Sequence, residues 1–311
     1  MSESPLAPQQ ASKSRLNWRL FSWVLIGFAI GIPLAGFIYY QSLVYSDDEL
    51  VSHPYGYPGD LVEKCDGHSL VGPAGRSHHR SNTVRVAYEV RTPINYQANY
   101  AHPLLMVYAP SGLGPGLNEK FTGLTSPATQ AGYIVVYVGS RRLNVNSVKA
   151  LGTISHEVAK GWCIDEERVF LTGHSDGGTM SHLLAILAGT PLKPTALAPS
   201  AAGMNEQGFA PERCPEPTSV MIMHNKGDGH FPEYGADAAH WWAVCNQCRL
   251  EPIAHQFPHC VQYPQCANEV TTLYCEGEGG HLRWPRMEQE IVDFFNRQSR
   301  RSSSSLILSE E

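Results

Sequence analysis

The chain lacks an excess of basic charge: its 311 residues carry 23 Lys and Arg against 29 Asp and Glu, a net charge of -6. Because a nucleic-acid site needs a positive surface to neutralise phosphates, this balance argues against a nucleic-acid partner. No internal repeat is apparent, and Gly and Pro are well represented without dominating the composition. The composition is that of an ordinary globular protein, whose length allows one large domain or two small ones.

One long hydrophobic run is present, from Leu20 to Tyr40, and it contains no charged residue. As a helix it is long enough to cross a hydrocarbon core of about 30 Å. Basic residues precede the run and acidic residues follow it: Lys13, Arg15 and Arg19, then Asp47, Asp48 and Glu49. Basic flanks favour the cytoplasmic side, and no small-x-small site that would mark a cleaved signal peptide closes the run. The sequence therefore predicts an uncleaved transmembrane anchor in the lipid bilayer, with the rest of the chain on the non-cytoplasmic side.

The chain contains an even number of cysteines, eight: Cys65, Cys163, Cys214, Cys245, Cys248, Cys260, Cys266 and Cys275. In an oxidising compartment such a set predicts disulfides. Four of them, spaced Cys-x2-Cys and Cys-x5-Cys between 245 and 266, also resemble a zinc site. Outside the cytoplasm disulfides are the favoured interpretation, so we expect neither a metal nor a cofactor. The spacing does not determine the pairing.

The chain divides into a cytoplasmic tail (1–19), the anchor (20–40), a tether and lead-in (41–80), a folded domain (81–299) and a flexible tail (300–311). Short apolar runs in the folded domain predict strands at 83–90, 104–109, 133–138, 169–172, 219–224 and 270–274. Helical segments are predicted at 119–131, 145–160, 177–189, 236–247 and 286–297. This alternation predicts a mostly parallel sheet with helices on both faces, in which chemistry collects at the carboxyl ends of strands.

The sharpest motif is Gly-x-Ser-x-Gly, at residues 173–177, which places Ser175 directly after an apolar strand and before a helix. A serine on so tight a turn needs small neighbours, and the turn lifts its hydroxyl out of the sheet towards a substrate. We interpret Ser175 as a nucleophile. The alternative is a glycine-rich turn with an incidental serine.

A serine nucleophile needs a base, and in folds of this kind the acid and then the histidine follow it along the chain. His281 ends a Gly-Gly-His loop just after the last predicted strand, and Asp228 is the only carboxylate in the turn after the strand at 219–224. The acid would orient the imidazole. Asp228 could instead only shape its turn, and Glu233 and Asp237 lie close by in the sequence.

Acyl transfer also needs hydrogen-bond donors for the oxyanion that forms on the substrate. One donor should be the backbone N–H of Asp176, the residue after the nucleophile. The other should come from the glycine-containing loop after the strand at 104–109. Leu113 is the first choice there, with Gly112 next to it.

With these pieces placed, the sequence resembles the esterase family of polyhydroxybutyrate depolymerases and feruloyl esterases over residues 83–297. The matching segments are PLLMVYAPSGLG, CIDEERVFLTGHSDGGTMSHLLA, MIMHNKGDGHFPEYG and GEGGHLRWP. The resemblance implies an α/β-hydrolase fold and the triad Ser175, Asp228 and His281. Two departures stand out: the oxyanion loop reads Ser111-Gly112-Leu113 where the family has His-Gly-Cys, and two residues separate His281 from Trp284-Pro285. Trp284 is expected either to line the substrate pocket or to pack at the start of a helix.

The resemblance implies a serine esterase that hydrolyses carboxylic esters through an acyl-enzyme. A membrane anchor and the absence of a polymer-binding module favour short or oligomeric hydroxyacyl or aryl esters over an insoluble polymer. Three alternatives remain open: a serine peptidase of the same fold, a non-catalytic exported binding protein, and a surface domain stabilised by zinc at Cys245 to Cys266.

The topology can be tested with a reporter that is active only outside the cytoplasm. Because the basic flank precedes Leu20, such a reporter fused after Glu311 should be active and should fractionate with membranes. A matched reporter that works only in the cytoplasm is the control, and its activity at the same position would contradict the predicted orientation.

Overall fold

The computed structural model of the chain describes Cys65 and residues 70–308. The predicted cytoplasmic tail, the transmembrane helix at 20–40 and most of the tether lie outside these residues. Among the residues that are described, no helix has the length and apolar character needed to cross a membrane.

Ten strands form one sheet in the described region, in the order β1-β2-β4-β3-β5-β6-β7-β10-β9-β8. The strands are β1 (Arg76–Arg80), β2 (Ala87–Arg91), β3 (His102–Tyr108), β4 (Ile134–Val138), β5 (Ile164–His174), β6 (Ala196–Ser200), β7 (Ser219–Asn225), β8 (Ile253–Ala254), β9 (Cys260–Tyr263) and β10 (Thr272–Gly277). Six neighbouring strands run parallel to one another, in the order β4, β3, β5, β6, β7 and β10. Antiparallel strands flank them on both sides. The carboxyl ends of the six parallel strands therefore share one edge of the sheet.

Helices connect the strands and cover both faces of the sheet. They are α1 (Pro115–Thr122), α2 (Thr125–Gln130), α3 (Val145–Gly152), α4 (Ile154–Ala159), α5 (Asp176–Ile186), α6 (Glu206–Phe209), α7 (Tyr234–Cys245) and α8 (Glu288–Leu308), with a 3₁₀ turn at Ala267–Glu269. Side chains of α3, α4, α5 and α7 belong to one hydrophobic cluster, whereas those of α2 and α8 belong to a second.

The two clusters lie on opposite faces of the sheet because side chains alternate along each strand. In β3, Leu104 and Met106 belong to the first cluster, and Leu105 and Val107 belong to the second. All four are buried. A strand buried on both faces has no polar side, which explains why these runs are continuously apolar in the sequence.

The predicted architecture, a mostly parallel sheet with helices on both faces, is confirmed. The prediction omitted β6, the edge strand β1 and, at the other end of the sheet, β8 and β9. β6 reads Ala-Leu-Ala-Pro-Ser, and Pro199 has no N–H to give to a neighbouring strand, so the segment does not look like a central strand. β1 reads Arg-Ser-His-His-Arg at an exposed edge. The last helix also extends to Leu308, into the segment predicted as a flexible tail.

A buried cluster of three charged residues, Arg91, Glu89 and Glu119, connects α1 to the sheet. Arg91 on β2 donates from Nε and Nη2 to the two carboxylate oxygens of Glu119 on α1, at 2.7 and 2.6 Å, and also contacts Glu89. All three side chains are almost fully buried. Removing one partner of such a cluster would leave a buried charge uncompensated, which is strongly destabilising. The cluster therefore fixes α1, and with it the loop 109–114 that connects β3 to α1.

Four disulfides pair all eight cysteines: Cys65–Cys163, Cys214–Cys245, Cys248–Cys266 and Cys260–Cys275. The prediction of disulfides is confirmed. Cys245 and Cys248, which the zinc alternative needs as a pair of thiolates, are each bonded to a different partner. Three of the four disulfides lie near β9, β10 and the end of α7.

We predict that the Cys260→Ala/Cys275→Ala double variant loses about 3 kcal/mol of unfolding free energy, because this disulfide closes a loop of 15 residues. The two cysteines are directly opposite each other on β9 and β10 and are buried. Urea denaturation of the oxidised proteins measures the loss. Peptide mapping without reductant is the control, and a different pairing in the wild type would contradict the assignment.

Candidate active site

Ser175 occupies a sharp turn between the end of β5 and the start of α5. Its backbone has φ 56° and ψ -118°, a conformation that residues with a side chain rarely adopt. Two hydrogen bonds hold it: the Ser175 N–H donates to the Ser200 carbonyl on β6, and the Thr179 N–H donates to the Ser175 carbonyl, both at 2.9 Å. The turn thus depends on the neighbouring strand as well as on its own helix.

The glycines on either side of Ser175 allow the backbone of β3 to approach the turn. A Cβ atom on Gly177 would lie 2.0 Å from the Tyr108 carbonyl oxygen, and one on Gly173 would lie 2.5 Å from the same atom. Both contacts are with backbone, which cannot move aside as a flexible side chain would. The motif is therefore glycine-rich because the turn lies directly against β3.

The structure brings Ser175, His281 and Asp228 together, although the three lie far apart in the sequence. His281 Nε2 is 2.9 Å from Ser175 Oγ, and His281 Nδ1 is 2.8 Å from Asp228 Oδ2. A carboxylate only accepts, so Nδ1 carries the proton, and Nε2 is left free to accept from the serine hydroxyl. This is the arrangement that activates a serine for attack on a carbonyl carbon.

Asp228 is fully buried, yet both of its oxygens have hydrogen-bond partners. Oδ1 accepts from the backbone N–H groups of His230 and Phe231 at 2.9 and 3.0 Å, while Oδ2 accepts from His281. Burial alone would raise the pKa of Asp228, but these hydrogen bonds and the nearby imidazole outweigh it and lower that pKa. The group is therefore a carboxylate at neutral pH.

The other two carboxylates near Asp228 in the sequence do not contact His281. Glu233 precedes α7 with φ 67°, and Asp237 lies in the first turn of that helix. Asp237 Oδ2 accepts from the Glu206 N–H at 3.4 Å. The geometry thus distinguishes Asp228 from both.

The predicted oxyanion donors differ in their availability. Asp176 is the first residue of α5, where a backbone N–H has no acceptor within the helix and lies at the positive end of the helix dipole. The Leu113 N–H already donates to the Pro110 carbonyl at 3.2 Å. No hydrogen bond of the Gly112 N–H is found within the described residues, so the loop favours Gly112 over Leu113.

Trp284 is buried, with 5% of its surface exposed. Its ring packs against His174 and Phe121, with centroids 6.1 and 6.3 Å away. The Trp284 ring is therefore part of the buried packing around His174 and Phe121.

Sequence reasoning missed two polar residues that contact this loop. His174, the first variable residue of the Gly-x-Ser-x-Gly motif, lies with its Nε2 2.5 Å from the His281 carbonyl oxygen. Asn225, the last residue of β7, donates from Nδ2 to the carbonyls of Gly280 and Arg283 at 3.0 and 2.7 Å. The position of each at the carboxyl end of a strand is the signal that could have identified it.

Aromatic side chains surround one side of the His281 imidazole. Phe231 meets it edge to face with ring centroids 4.9 Å apart, and the exposed His230 ring lies 4.8 Å away. Tyr234 stacks on Phe231 at 5.1 Å. Leu282, next to His281, is 87% exposed. The site is therefore bordered by side chains that suit an apolar or aromatic group.

The sheet order and the serine turn at its carboxyl edge define an α/β-hydrolase fold. No protein-family model and no curated protein sequence matches the chain. Solved structures do match. An acetyl xylan esterase from Aspergillus awamori aligns with a TM-score of 0.55 and 15% identity over 72% of this chain and 99% of its own.

Two further matches come from Staphylococcus aureus. An S-formylglutathione hydrolase has a TM-score of 0.51 and 13% identity over 72% of this chain and 97% of its own. A fluorophosphonate-binding serine hydrolase F has a TM-score of 0.50 and 13% identity over 73% of this chain and 98% of its own. At such identities the likeness shows the fold, to which all three conform over nearly their whole length.

We predict that Gly177→Ala prevents formation of the serine turn, because the added Cβ would overlap the Tyr108 carbonyl. The expected cost is about 3 kcal/mol or more of unfolding free energy, as for other severe backbone clashes. Gly229→Ala is the matched control, since its added Cβ meets nothing within 4 Å. Equal thermal stability of the two variants would contradict this account of the motif.

Proposed function

We propose that the protein is a serine esterase that hydrolyses carboxylic esters, with Ser175 as nucleophile, His281 as general base and acid, and Asp228 as the orienting carboxylate. The observation that carries the proposal is the continuous hydrogen-bonded series from Ser175 Oγ through His281 to Asp228, at 2.9 and 2.8 Å. A non-catalytic binding protein would have no need of a strained turn that presents a serine to a histidine.

In the first half of the reaction, Ser175 Oγ attacks the ester carbonyl carbon and its proton passes to His281 Nε2. The imidazolium that forms is stabilised by the Asp228 carboxylate. The carbonyl oxygen becomes an oxyanion, which accepts hydrogen bonds from the Asp176 N–H and from the Gly112 N–H of the loop after β3. The tetrahedral intermediate then collapses, and His281 gives the proton to the departing alkoxide.

In the second half, a water molecule attacks the acyl-enzyme and gives its proton to His281. The same donors hold the second oxyanion, and its collapse releases the acid while His281 returns the proton to Ser175 Oγ. A neutral His281 is needed at the start of each half, so its Nδ1 proton must stay on the side of Asp228. The buried carboxylate supplies that constraint.

The proposed substrates are short or oligomeric esters with a hydroxyacyl or aryl group, as in polyhydroxybutyrate depolymerase-like or feruloyl esterase-like enzymes. The rings of Phe231 and His230 beside the imidazole support this choice, as does the exposed side chain of Leu282. Apolar and aromatic surfaces bind such groups by burying them from water.

We also propose that the enzyme works outside the cytoplasm on a membrane anchor at 20–40. Four disulfides in the described region support an oxidising compartment. A tethered enzyme meets soluble esters more readily than an insoluble polymer, which is consistent with the proposed substrate class.

The Ser175→Ala variant should lose ester hydrolysis by about a million-fold in kcat, because removing the nucleophile leaves only binding and the oxyanion donors. The assay uses p-nitrophenyl, feruloyl and 3-hydroxybutyrate esters, with the matched amides to detect a peptidase. A fluorophosphonate should label Ser175 in the wild type.

An unchanged circular dichroism spectrum is the control for that variant, since the serine side chain is not part of the core. Activity within tenfold of the wild type would rule out Ser175 as the nucleophile. Faster cleavage of the amides than of the esters would favour the peptidase alternative.

The Asp228→Asn variant should lose about ten-thousand-fold in kcat, because an amide in this position favours the wrong tautomer of His281. Asp237→Asn is the matched control and should keep full activity, since Asp237 lies on α7 and its carboxylate accepts from the Glu206 N–H rather than from His281. A dead Asp237→Asn variant beside an active Asp228→Asn variant would show that the acid is Asp237.

A further inference from the structure

The loop that carries His281 contains little that could hold it in place by itself. It begins after Gly277 and includes Gly279, with φ 109°, and Gly280. It must still hold the imidazole at hydrogen-bond distance from Ser175, with a tolerance of about 0.5 Å. The position of His281 therefore depends on contacts from other elements.

One such contact comes from His174, whose Nε2 is 2.5 Å from the His281 carbonyl oxygen. A carbonyl oxygen can only accept, so Nε2 carries the proton and donates. In a neutral ring Nδ1 then has no proton, and it accepts from the Ser200 hydroxyl at 2.9 Å. The two partners together select one tautomer of His174.

The surroundings of His174 keep this ring neutral. Its surface is 1% exposed, and the rings of Phe121 and Trp284 pack against it. Burial is the main cause that lowers its pKa, and the nearby His281 and His224 act in the same direction. The hydrogen bond to the His281 carbonyl and the Asp228 carboxylate oppose them, and the resulting pKa is about 4. At neutral pH the donor at Nε2 is therefore always present.

Ser200 connects the same histidine to the nucleophile. Its hydroxyl donates to His174 Nδ1, and its carbonyl accepts from the Ser175 N–H at 2.9 Å. The contacts form a closed ring: Ser175 backbone, Ser200, His174, His281 backbone, His281 imidazole and Ser175 hydroxyl. The backbone positions of Ser175 and His281 are therefore linked through Ser200 and His174.

We propose that His174 is a positioning residue that holds the catalytic histidine through its backbone carbonyl and, with Ser200, fixes the separation of base and nucleophile. The proposal rests on the function proposed above and adds a role for a residue inside the serine motif. Asn225 holds the carbonyls of Gly280 and Arg283 in the same loop. Of His174 and Asn225, only His174 donates to the backbone carbonyl of His281.

A purely structural role for His174 would predict something different, namely lower stability with unchanged turnover. His182 provides the matched control for that alternative. It is also a fully buried neutral histidine, its Nδ1 accepts from the Trp242 indole N–H at 3.0 Å, and its ring packs on Phe209. None of these partners belongs to the His281 loop.

The experiment compares His174→Phe, His174→Gln and His182→Phe in the full chain, measuring kcat, KM and Tm with a p-nitrophenyl ester. His174→Phe should lower kcat about a hundredfold with KM within threefold, as expected for a displacement of about 1 Å in the base. His174→Gln should have a kcat roughly tenfold or more above that of His174→Phe, because its side-chain amide can donate to the same carbonyl. His182→Phe should lower Tm and leave kcat within about threefold of the wild type.

Three results would overturn the proposal: a folded His174→Phe variant with nearly wild-type kcat, equal losses in the Phe and Gln variants, or an equal loss of kcat in His182→Phe. If His174→Phe does not fold, Ser200→Ala decides, since it removes only the hydroxyl. A drop in kcat of about fivefold supports the proposal, and an unchanged kcat overturns it.

A second measurement separates this proposal from the esterase assignment. If the wild type hydrolyses no ester and a fluorophosphonate does not label Ser175, the proposed function fails. Nitrogen-15 spectra of histidine-labelled protein still report on the contact, because they need no turnover. The Nδ1–H signal of His281, hydrogen-bonded to Asp228, should shift or broaden in Ser200→Ala and His174→Gln but not in His182→Phe; an unshifted signal in both of the first two overturns the positioning role.

Discussion

The site depends on the strained backbone of Ser175. A residue with a side chain in this conformation costs on the order of 1–3 kcal/mol, and such strain persists only where the surrounding structure imposes it. Here the imposing contacts come from three directions: the β3 backbone against Gly173 and Gly177, the Ser200 carbonyl on β6, and the first turn of α5. Contacts with β3, β6 and α5 therefore stabilise the turn against its backbone strain.

A second set of contacts determines the charges at the site. Asp228 is buried as an anion, which is costly, but two backbone N–H groups and an imidazole compensate the charge. His174, beside it, is buried without charge. The site therefore places one negative charge beside Nδ1 of His281 and a neutral, hydrogen-bonding histidine at its backbone carbonyl.

Much of the fold could be predicted from the sequence, because parallel strands buried on both faces are continuously apolar and because the serine motif lies where a strand meets a helix. The triad could be proposed from the order of its members along the chain, and the structure brings those three residues together. β6 could not be predicted, since small residues and Pro199 carry no strand pattern. His174 and Asn225 were missed because their partners are backbone carbonyls, which no residue type identifies, so that only their position at the carboxyl end of a strand indicated a role near the site. The sequence alone could not choose between Gly112 and Leu113 as the oxyanion donor, because it does not show that the Leu113 N–H donates to the Pro110 carbonyl.

The short hairpin at the end of the sheet has a consequence for the behaviour of the molecule in concentrated solution. β10, the strand that leads to His281, would expose a row of unpaired backbone groups if it were the last strand, and such a row can recruit a strand from another molecule. β9 pairs with it over four residues, and β8 adds a strand of only two, Ile253–Ala254. In the part of the chain that the structure describes, the sheet thus ends in a strand too short to template intermolecular pairing, and β10 is separated from that edge by β9 and β8.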